Sequence, residues 1–411
     1  MARGAVFGVV LPLGFLHRRN LAGLRKVILN DWELLQICTL PENLFHFARH
    51  RSVLLFGRKG TVHATGDNKV LFRRVSVEGL QRFRETYEGQ DEYILQSKLN
   101  RGPVYDLRVR ELNDVWDYCE SNLPRFGSIC KGGQGLSYKG RDLPKGAKTF
   151  CKEEFRGAVK GYALSDPNTL LHGLPDEYWM NLAPEVIDRY RWGRGTVSPR
   201  LLVNYVRVGG TPWRIKALMD CHGRPVTSAF LAFQVHSHNW QLSSLWAILN
   251  SPYANAYAYC NSMERHNLSG TIRKIPVPTC TRAATQRLEE LVAEYFALME
   301  KKDSVLQGDV PSQAKRLLLG IDAEVMRLYD LPPRMEKRVL DLFHGFQRKG
   351  VDFPFTGYYP TGFESAIPLY EYLSEEYQRS TVDFVRQWVD ETRSPELVKA
   401  LRAATESFTE D

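Results

Sequence analysis

The sequence predicts an α/β chain in three parts: a partial sheet near the N-terminus, an α+β region in the middle and a helical C-terminal end. Three observations carry this. Apolar runs at 6–11, 34–38 and 52–57 are interrupted by one stretch of helical period at 21–30. Three β-rich runs between 200 and 235 meet at glycine-containing turns, and from 285 onward apolar residues recur at helical spacing. The 411 residues, 43% hydrophobic and 11% aromatic, are enough for two to three packed domains, which excludes a disordered or collagen-like chain.

Residues 6–11, VFGVVL, form a continuous apolar run stopped by Pro12, the pattern of a strand covered on both faces. Leu21, Leu24, Val27 and Ile28 give the next segment one apolar helical face, and LLQIC at 34–38 and SVLLFG at 52–57 read as strands. This is the end of an α/β sheet rather than a whole one, because a doubly wound domain needs more crossovers. The strand at 6–11 is therefore expected to have a bare edge, and such apolar edges are normally protected. A strand at 70–75 and helices near 77–87 and 111–120 lead to Pro124, a plausible boundary. RFGSICKGGQGLSYKGRDLPKG at 125–146 has many turn signals and no helical period. The runs RLLVNYVRV, WRIKALMD and TSAFLAFQV suit a small antiparallel meander, and QLSSLWAIL at 241–249 a helix. Helices are expected at 285–302, 312–329, 333–345, 366–378 and 380–391, divided by Pro332-Pro333 and the stretch 350–363. The expected domains are thus 1–123, 124–280 and 281–411.

Charge is distributed unevenly among them. Basic and acidic residues number 18 and 14 in 1–123, 20 and 10 in 124–280, and 17 and 23 in 281–411, so the middle part carries +10 in a chain of +8. A surplus confined to one domain suits a polyanion such as nucleic acid. The seven cysteines, at 38, 119, 130, 151, 221, 260 and 280, include no C-x-x-C pair, so a reducing cytosol is the expected compartment. The apolar run from Ala5 to Leu13 is too short to cross a bilayer and lacks a cleavage site. No membrane partner is expected.

Several chemical signatures are missing. KGGQG at 131–135 lies outside any strand-to-helix turn, so Gly132, Gly133 and Gly135 read as turn formers rather than a phosphate cradle. His236 and His238, with Cys221 and His222 upstream, match no zinc spacing, and no metal site is expected. No G-x-S-x-G elbow marks a nucleophile.

GVVLPLGFL (8–16), LRKVILNDWELLQICTLPENLF (24–45) and SVLLFGRKG (52–60) resemble the second half of the catalytic domain of adenine-N6 DNA methyltransferases, of the gamma class found in type I modification subunits and type IIG enzymes. Residues 125–280 resemble their target-recognition domain. ILNSPYANAYAY (248–259), IRKIPVP (272–278) and the helix beginning at Gln286 are also similar to type I specificity subunits. GIDAEVMRLYDLPPRMEKRVLDLFHGFQR (320–348) is similar to the tail of large fused methylases. The resemblance covers nearly the whole chain and rests on the order of its motifs.

It implies a partial methyltransferase-type sheet, an α+β target-recognition domain and a helical tail. In the family, the cofactor glycine motif and the N-P-P-Y motif precede the segment that begins here at Val6. Asn250-Ser251-Pro252-Tyr253 differs from N-P-P-Y by one residue, but it follows a helix-like segment and is not expected to be catalytic. The family uses S-adenosylmethionine; this chain alone is expected neither to bind it nor to methylate. Phe45, in LPENLF, with Phe47 second, matches the aromatic that stacks on a flipped adenine. DNA contacts are expected from Lys131, Gln134, Tyr138, Lys139 and Arg141, from Arg200, Arg214 and Lys216 on the sheet, and from Arg265 and Asn267. The expected partners are double-stranded DNA and a methylase N-terminal half or modification subunit. A non-enzymatic specificity protein serving a separate methylase is the alternative.

Overall fold

Residues 4–41, 44, 51–60, 68–77, 79–99, 104–207, 211–262, 266–301 and 310–380 are described by the computed structural model. Contacts divide the chain into two units, Met1–Glu111 and Leu112–Asp411.

In the first unit the elements are β1 (Val6–Pro12), α1 (Ala22–Asp31), β2 (Trp32–Leu40), β3 (Ser52–Lys59), β4 (Lys69–Arg74), α2 (Leu80–Thr86) and β5 (Gln90–Leu95). They form one sheet in the order β1-β3-β2-β4-β5, in which only the β2–β4 pair is parallel. Leu34, Ile37, Val53, Leu55, Val70 and Phe72 are wholly buried in it. The register of β2 on β3 slips between Leu34 and Gln36. Gln96 mends the slip: its Oε1 accepts from Leu34 N at 2.8 Å while Nε2 donates to the Trp32 carbonyl at 2.8 Å. Arg25 is buried in α1 and donates to the carbonyls of Phe15, Arg18, Val104 and Tyr105, tying the helix to two irregular segments.

The expectation for β1 needs correction. Among the described residues it pairs with β3 alone, so the bare edge is as expected, but Val6, Val9 and Val10 are 62%, 38% and 51% exposed, and the strand is not covered on both faces. Its apolar run is followed in α1 by the exposed Leu24 and Val27.

In the second unit come α3 (Asn113–Asn122), β6 (Cys130–Gln134), β7 (Ser137–Tyr138), β8 (Phe150–Cys151), β9 (Ala158–Tyr162), β10 (Glu177–Asn181), β11 (Ile187–Arg189), β12 (Arg200–Asn204), β13 (Ala217–Asp220) and β14 (Phe230–Val235). The helices are α4 (Leu242–Asn250), α5 (Pro252–Asn261), α6 (Ser269–Lys274), α7 (Arg282–Lys301), α8 (Val310–Tyr329), α9 (Pro333–Asp341) and α10 (Leu369–Tyr372). The expected meander is present and gains a fourth strand, in the order β13-β12-β14-β6. Two smaller sheets, β8-β10-β9 and β11-β7, lie beside it. Glycine explains why β6 reads as turns in the sequence. A Cβ at Gly132 would collide with the Ala232 carbonyl and one at Gly135 with that of Thr227, so these glycines serve close strand approach.

The domain boundaries also differ from expectation. The division falls at Glu111/Leu112 rather than at 123, because Val115, Trp116 and Cys119 of α3 are buried in the core of the second unit. Within 281–411 the described helices are not separate either, since Leu288, Tyr295, Leu318 and Met326 of α7 and α8 share that core with Trp246 and Tyr253. The expected helix at 366–378 is broken at Leu373-Ser374 into α10 and a second helical piece at 375–380, and the one at 380–391 falls outside the described residues but for Ser380.

The N-S-P-Y run is part of the scaffold. Asn250 is buried at the end of α4, where its Oδ1 accepts from Ala217 N and its Nδ2 donates to Ala217 O, both at 2.9 Å, so it occupies the strand edge of β13 like a backbone partner. Asn255 Oδ1 accepts from both Arg214 N and Ile215 N, at 2.8 and 2.7 Å. Ser251 caps α5 by accepting from Ala254 N at 3.3 Å, Pro252 opens that helix, and Tyr253 stacks on Tyr329 at 3.6 Å.

Candidate nucleic-acid interface

Lys131 is exposed on β6, and Gln134 ends that strand half-buried. Beside them runs Arg189-Tyr190-Arg191-Trp192-Gly193-Arg194, which leaves β11 and crosses the end of β6. Trp192 N donates to the Gln134 carbonyl at 3.2 Å and Gly193 N to that of Tyr190 at 2.8 Å, fixing a tight turn. Arg191 within it has φ +42°, a left-handed conformation that a side chain disfavours. Its Nη1 donates to Gln134 Oε1, while Gln134 Nε2 donates to the Ser228 carbonyl at 3.3 Å. The indole of Trp192 lies over Gly133, where a Cβ would stand 2.8 Å from its Cδ1. Glycine is needed there to seat the ring.

Three cations around this turn, Arg191, Arg194 and Arg273, have neutral partners, whereas Arg189 pairs with Asp188 at 3.4 Å. The Arg194 guanidinium sits 4.1 Å from the Tyr190 ring centre, and Arg273 Nη2 donates to the Gly132 carbonyl. The three-stranded sheet differs. There Lys152 pairs with Asp176 at 2.6 Å, Lys160 with Glu177 at 3.3 Å, and Arg224 with Glu177 as well. The end of β6 and residues 189–194, together with Arg273, therefore form a ridge on which Arg191, Arg194 and Arg273 engage neutral groups rather than a carboxylate.

Of the residues expected to contact DNA, some lie at the surface and others do not. Arg141 is exposed and Lys139 half-buried, with its backbone N–H bonded to the Val186 carbonyl at 2.9 Å. Tyr138 packs against Phe150 with its hydroxyl buried, and burial raises that hydroxyl's pKa. The assignment of Arg200, Arg214, Lys216 and Asn267 to DNA contact is corrected by burial. Arg200 is 1% exposed and donates from Nε to Asp220 at 3.0 Å across β12 and β13. Arg214 is buried and its Nη1 donates to the Ser262 carbonyl. Lys216 donates to the carbonyls of Asp166, Pro167 and Thr169 at 2.7, 3.0 and 2.8 Å, and burial pushes its ammonium down to about 8. Asn267 donates to the carbonyls of Asn204 and Arg214, both at 3.0 Å. Phe45, Phe47 and Arg265 lie outside the described residues.

Arg191, Trp192, Arg194 and Arg273 were missed. The signal was visible as RYRWGRG at 189–195, where arginine alternates with aromatics. Arg200 also acts on this turn from within, since its Nη1 donates to the Arg194 carbonyl at 3.1 Å. His236 and His238 are exposed, and among the described residues no three His, Cys, Asp or Glu side chains gather as metal ligands. Among the same residues no helix is long and apolar enough to cross a membrane.

Compared with solved structures, the chain is similar to restriction-modification enzymes. It aligns with the type IIG restriction endonuclease BpuSI at 14% identity and TM-score 0.33, over 80% of this chain and 48% of that one. With the type IIL restriction-modification enzyme MmeI, in complex with DNA, the values are 9% and 0.49, over 82% and 49%. With the HsdS subunit from Thermoanaerobacter tengcongensis they are 13% and 0.28, over 53% and 51%. The chain spans under half the length of the first solved structures that it matches, 48%, 29% and 49% of them. No family model and no curated protein matches it.

Proposed function

We propose that this chain is the C-terminal part of a site-specific adenine-N6 DNA methyltransferase of a restriction-modification-like system, in which it supplies recognition of double-stranded DNA. One observation carries the reading: the exposed Lys131 and three arginines with neutral partners, Arg191, Arg194 and Arg273, share a ridge with a Trp192 that is 39% exposed. Lysines and arginines on such a ridge neutralise phosphates and displace counterions, while Gln and Arg side chains pair with base edges.

The exposed apolar edge of β1 suits the neighbouring strand of a methyltransferase sheet, which in the resemblance carries the cofactor and N-P-P-Y motifs. The lining of a cleft among the described residues of the first unit does not fit S-adenosylmethionine. β1 runs into a 3-10 turn at Leu13–Leu16, and the cleft of about 440 Å³ in this unit is lined by Arg74, Arg82, Glu88 and Asp91 rather than by an apolar slot for adenine. No methyl-transfer step is therefore assigned to this chain.

The test is fluorescence anisotropy with a labelled duplex across a salt series. Binding that weakens steeply with salt is expected; salt-insensitive binding, or none at low salt, overturns the reading. Labelled S-adenosylmethionine should transfer no methyl group when this chain is the only protein present.

A further inference from the structure

The ridge holds several cations, but their geometry gives them different work. Lys131 presents a single ammonium on a flexible stem, which suits a phosphate. Arg189 is paired with Asp188 at 3.4 Å, and Arg273 is engaged with the Gly132 carbonyl. Arg191 is held differently. Its backbone is fixed in a left-handed turn by the hydrogen bonds of Trp192 and Gly193, and its Nη1 is fixed by the neutral Oε1 of Gln134. Gln134 is in turn held by the Ser228 carbonyl, so the guanidinium is oriented through two bonds before any ligand arrives. That arrangement leaves the Nε and Nη2 edge of the fork for a bidentate partner. A phosphate gains little from such orientation, whereas a base edge requires it.

Resting on the DNA-recognition reading above, we infer that Arg191, oriented by Gln134 and flanked by the seated ring of Trp192, is a specificity-determining residue that reads the O6 and N7 atoms of a guanine in the major groove. Arg is the side chain whose fork matches that pair of acceptors. The left-handed backbone is explained by the same role, because strained residues persist where a side chain must be aimed.

The test uses the full chain and a duplex pool randomised over the binding site, with sequencing of the bound fraction and anisotropy on the enriched duplex. The unaltered protein should enrich a motif. Arg191→Ala should lose preference at one G·C position, by roughly tenfold or more in discrimination, while affinity for the random pool changes far less. Arg191→Lys, which keeps the charge and loses the fork, should lose the same position, and Gln134→Ala should relax it. If Arg191→Ala and Arg191→Lys keep the motif and only weaken binding evenly, or change nothing, Arg191 does not read a base and the inference is overturned. A protein that binds duplex without any preference overturns the inference and leaves the DNA-binding reading standing. One that binds no duplex removes both.

Discussion

Arg348 donates from Nη2 to the main-chain carbonyl of Asn250 at 2.9 Å while both of its Nη atoms engage Asp322. Asn250 is the residue that holds β13 by its amide, so one guanidinium fastens residues 342–348, α8 and the end of α4 to the sheet. Tyr358 donates to Asp322 at 2.8 Å, and the guanidinium lies 4.7 Å from the centre of the Trp213 ring. Both charges are 1% exposed or less, so each depends on the other to offset its desolvation.

Removing one partner should therefore cost far more than a surface ion pair would. Arg348→Met leaves Asp322 buried without its cation and is expected to destabilise the second unit by about 3–5 kcal/mol. The double variant Arg348→Met/Asp322→Leu should recover part of that loss. Urea denaturation followed by tryptophan fluorescence measures both.

Ser251→Pro converts Asn250-Ser251-Pro252-Tyr253 into the N-P-P-Y sequence and separates motif from scaffold. Ser251 N donates to the Ile248 carbonyl at 3.2 Å, and its hydroxyl caps α5. Proline removes both, so a stability loss of about 1–3 kcal/mol is expected. No methyl transfer should appear, because Tyr253 is stacked on Tyr329 in the core. Methylation of a duplex by this variant would contradict the structural assignment.

The parts of the fold that were legible in the sequence are those whose causes are local. Alternating β-branched and aromatic runs with glycine turns announced β12, β13 and β14, and helical spacing announced α4, α7 and α8. β5 was missed because QDEYIL carries its charges in a partly exposed strand, with Asp91 and Glu92 paired to Arg73 and Arg74. β6 was hidden because its glycines answer to Ala232, a neighbour about a hundred positions away. The site shows the same limit. A basic residue in an apolar run looks alike whether it meets solvent or, like Lys216, three main-chain carbonyls. Burial is a tertiary property, whereas the alternation of Arg with Tyr and Trp at 189–194 marks residues that are exposed at 191, 192 and 194.

Glu336 should give the protein a pH-dependent loss of stability. It is 2% exposed, its Oε1 accepts from Leu369 N at 2.6 Å, and burial pushes its carboxyl from 4.5 up to about 7. The folded state then holds a proton that the unfolded chain releases. Its contribution is fully present below about 4.5 and is lost as pH rises through about 7. Glu336→Gln retains an oxygen for Leu369 without a charge. Its stability relative to the unaltered protein should therefore rise between pH 5 and 8, by on the order of 2 kcal/mol, as read from urea midpoints. A pH-independent difference would show that Glu336 is not titrating there.

Burial also divides the basic residues of the second unit by what their loss should do to DNA binding. Lys131 and Arg141 are exposed, whereas Arg200 and Lys216 have their donors turned to Asp220 and to the carbonyls of 166–169. Each phosphate contact removed lowers the slope of log K against log salt by about one. Lys131→Ala and Arg141→Ala should therefore each reduce that slope while leaving thermal stability within about 0.5 kcal/mol of the unaltered protein. Lys216→Met should do the reverse, shifting stability through the lost anchor of the 166–169 segment and leaving the slope unchanged. The two measurements, salt-dependent anisotropy and thermal unfolding, separate the groups. A reduced slope for Lys216→Met without a stability change would mean that its ammonium reaches the nucleic acid after all.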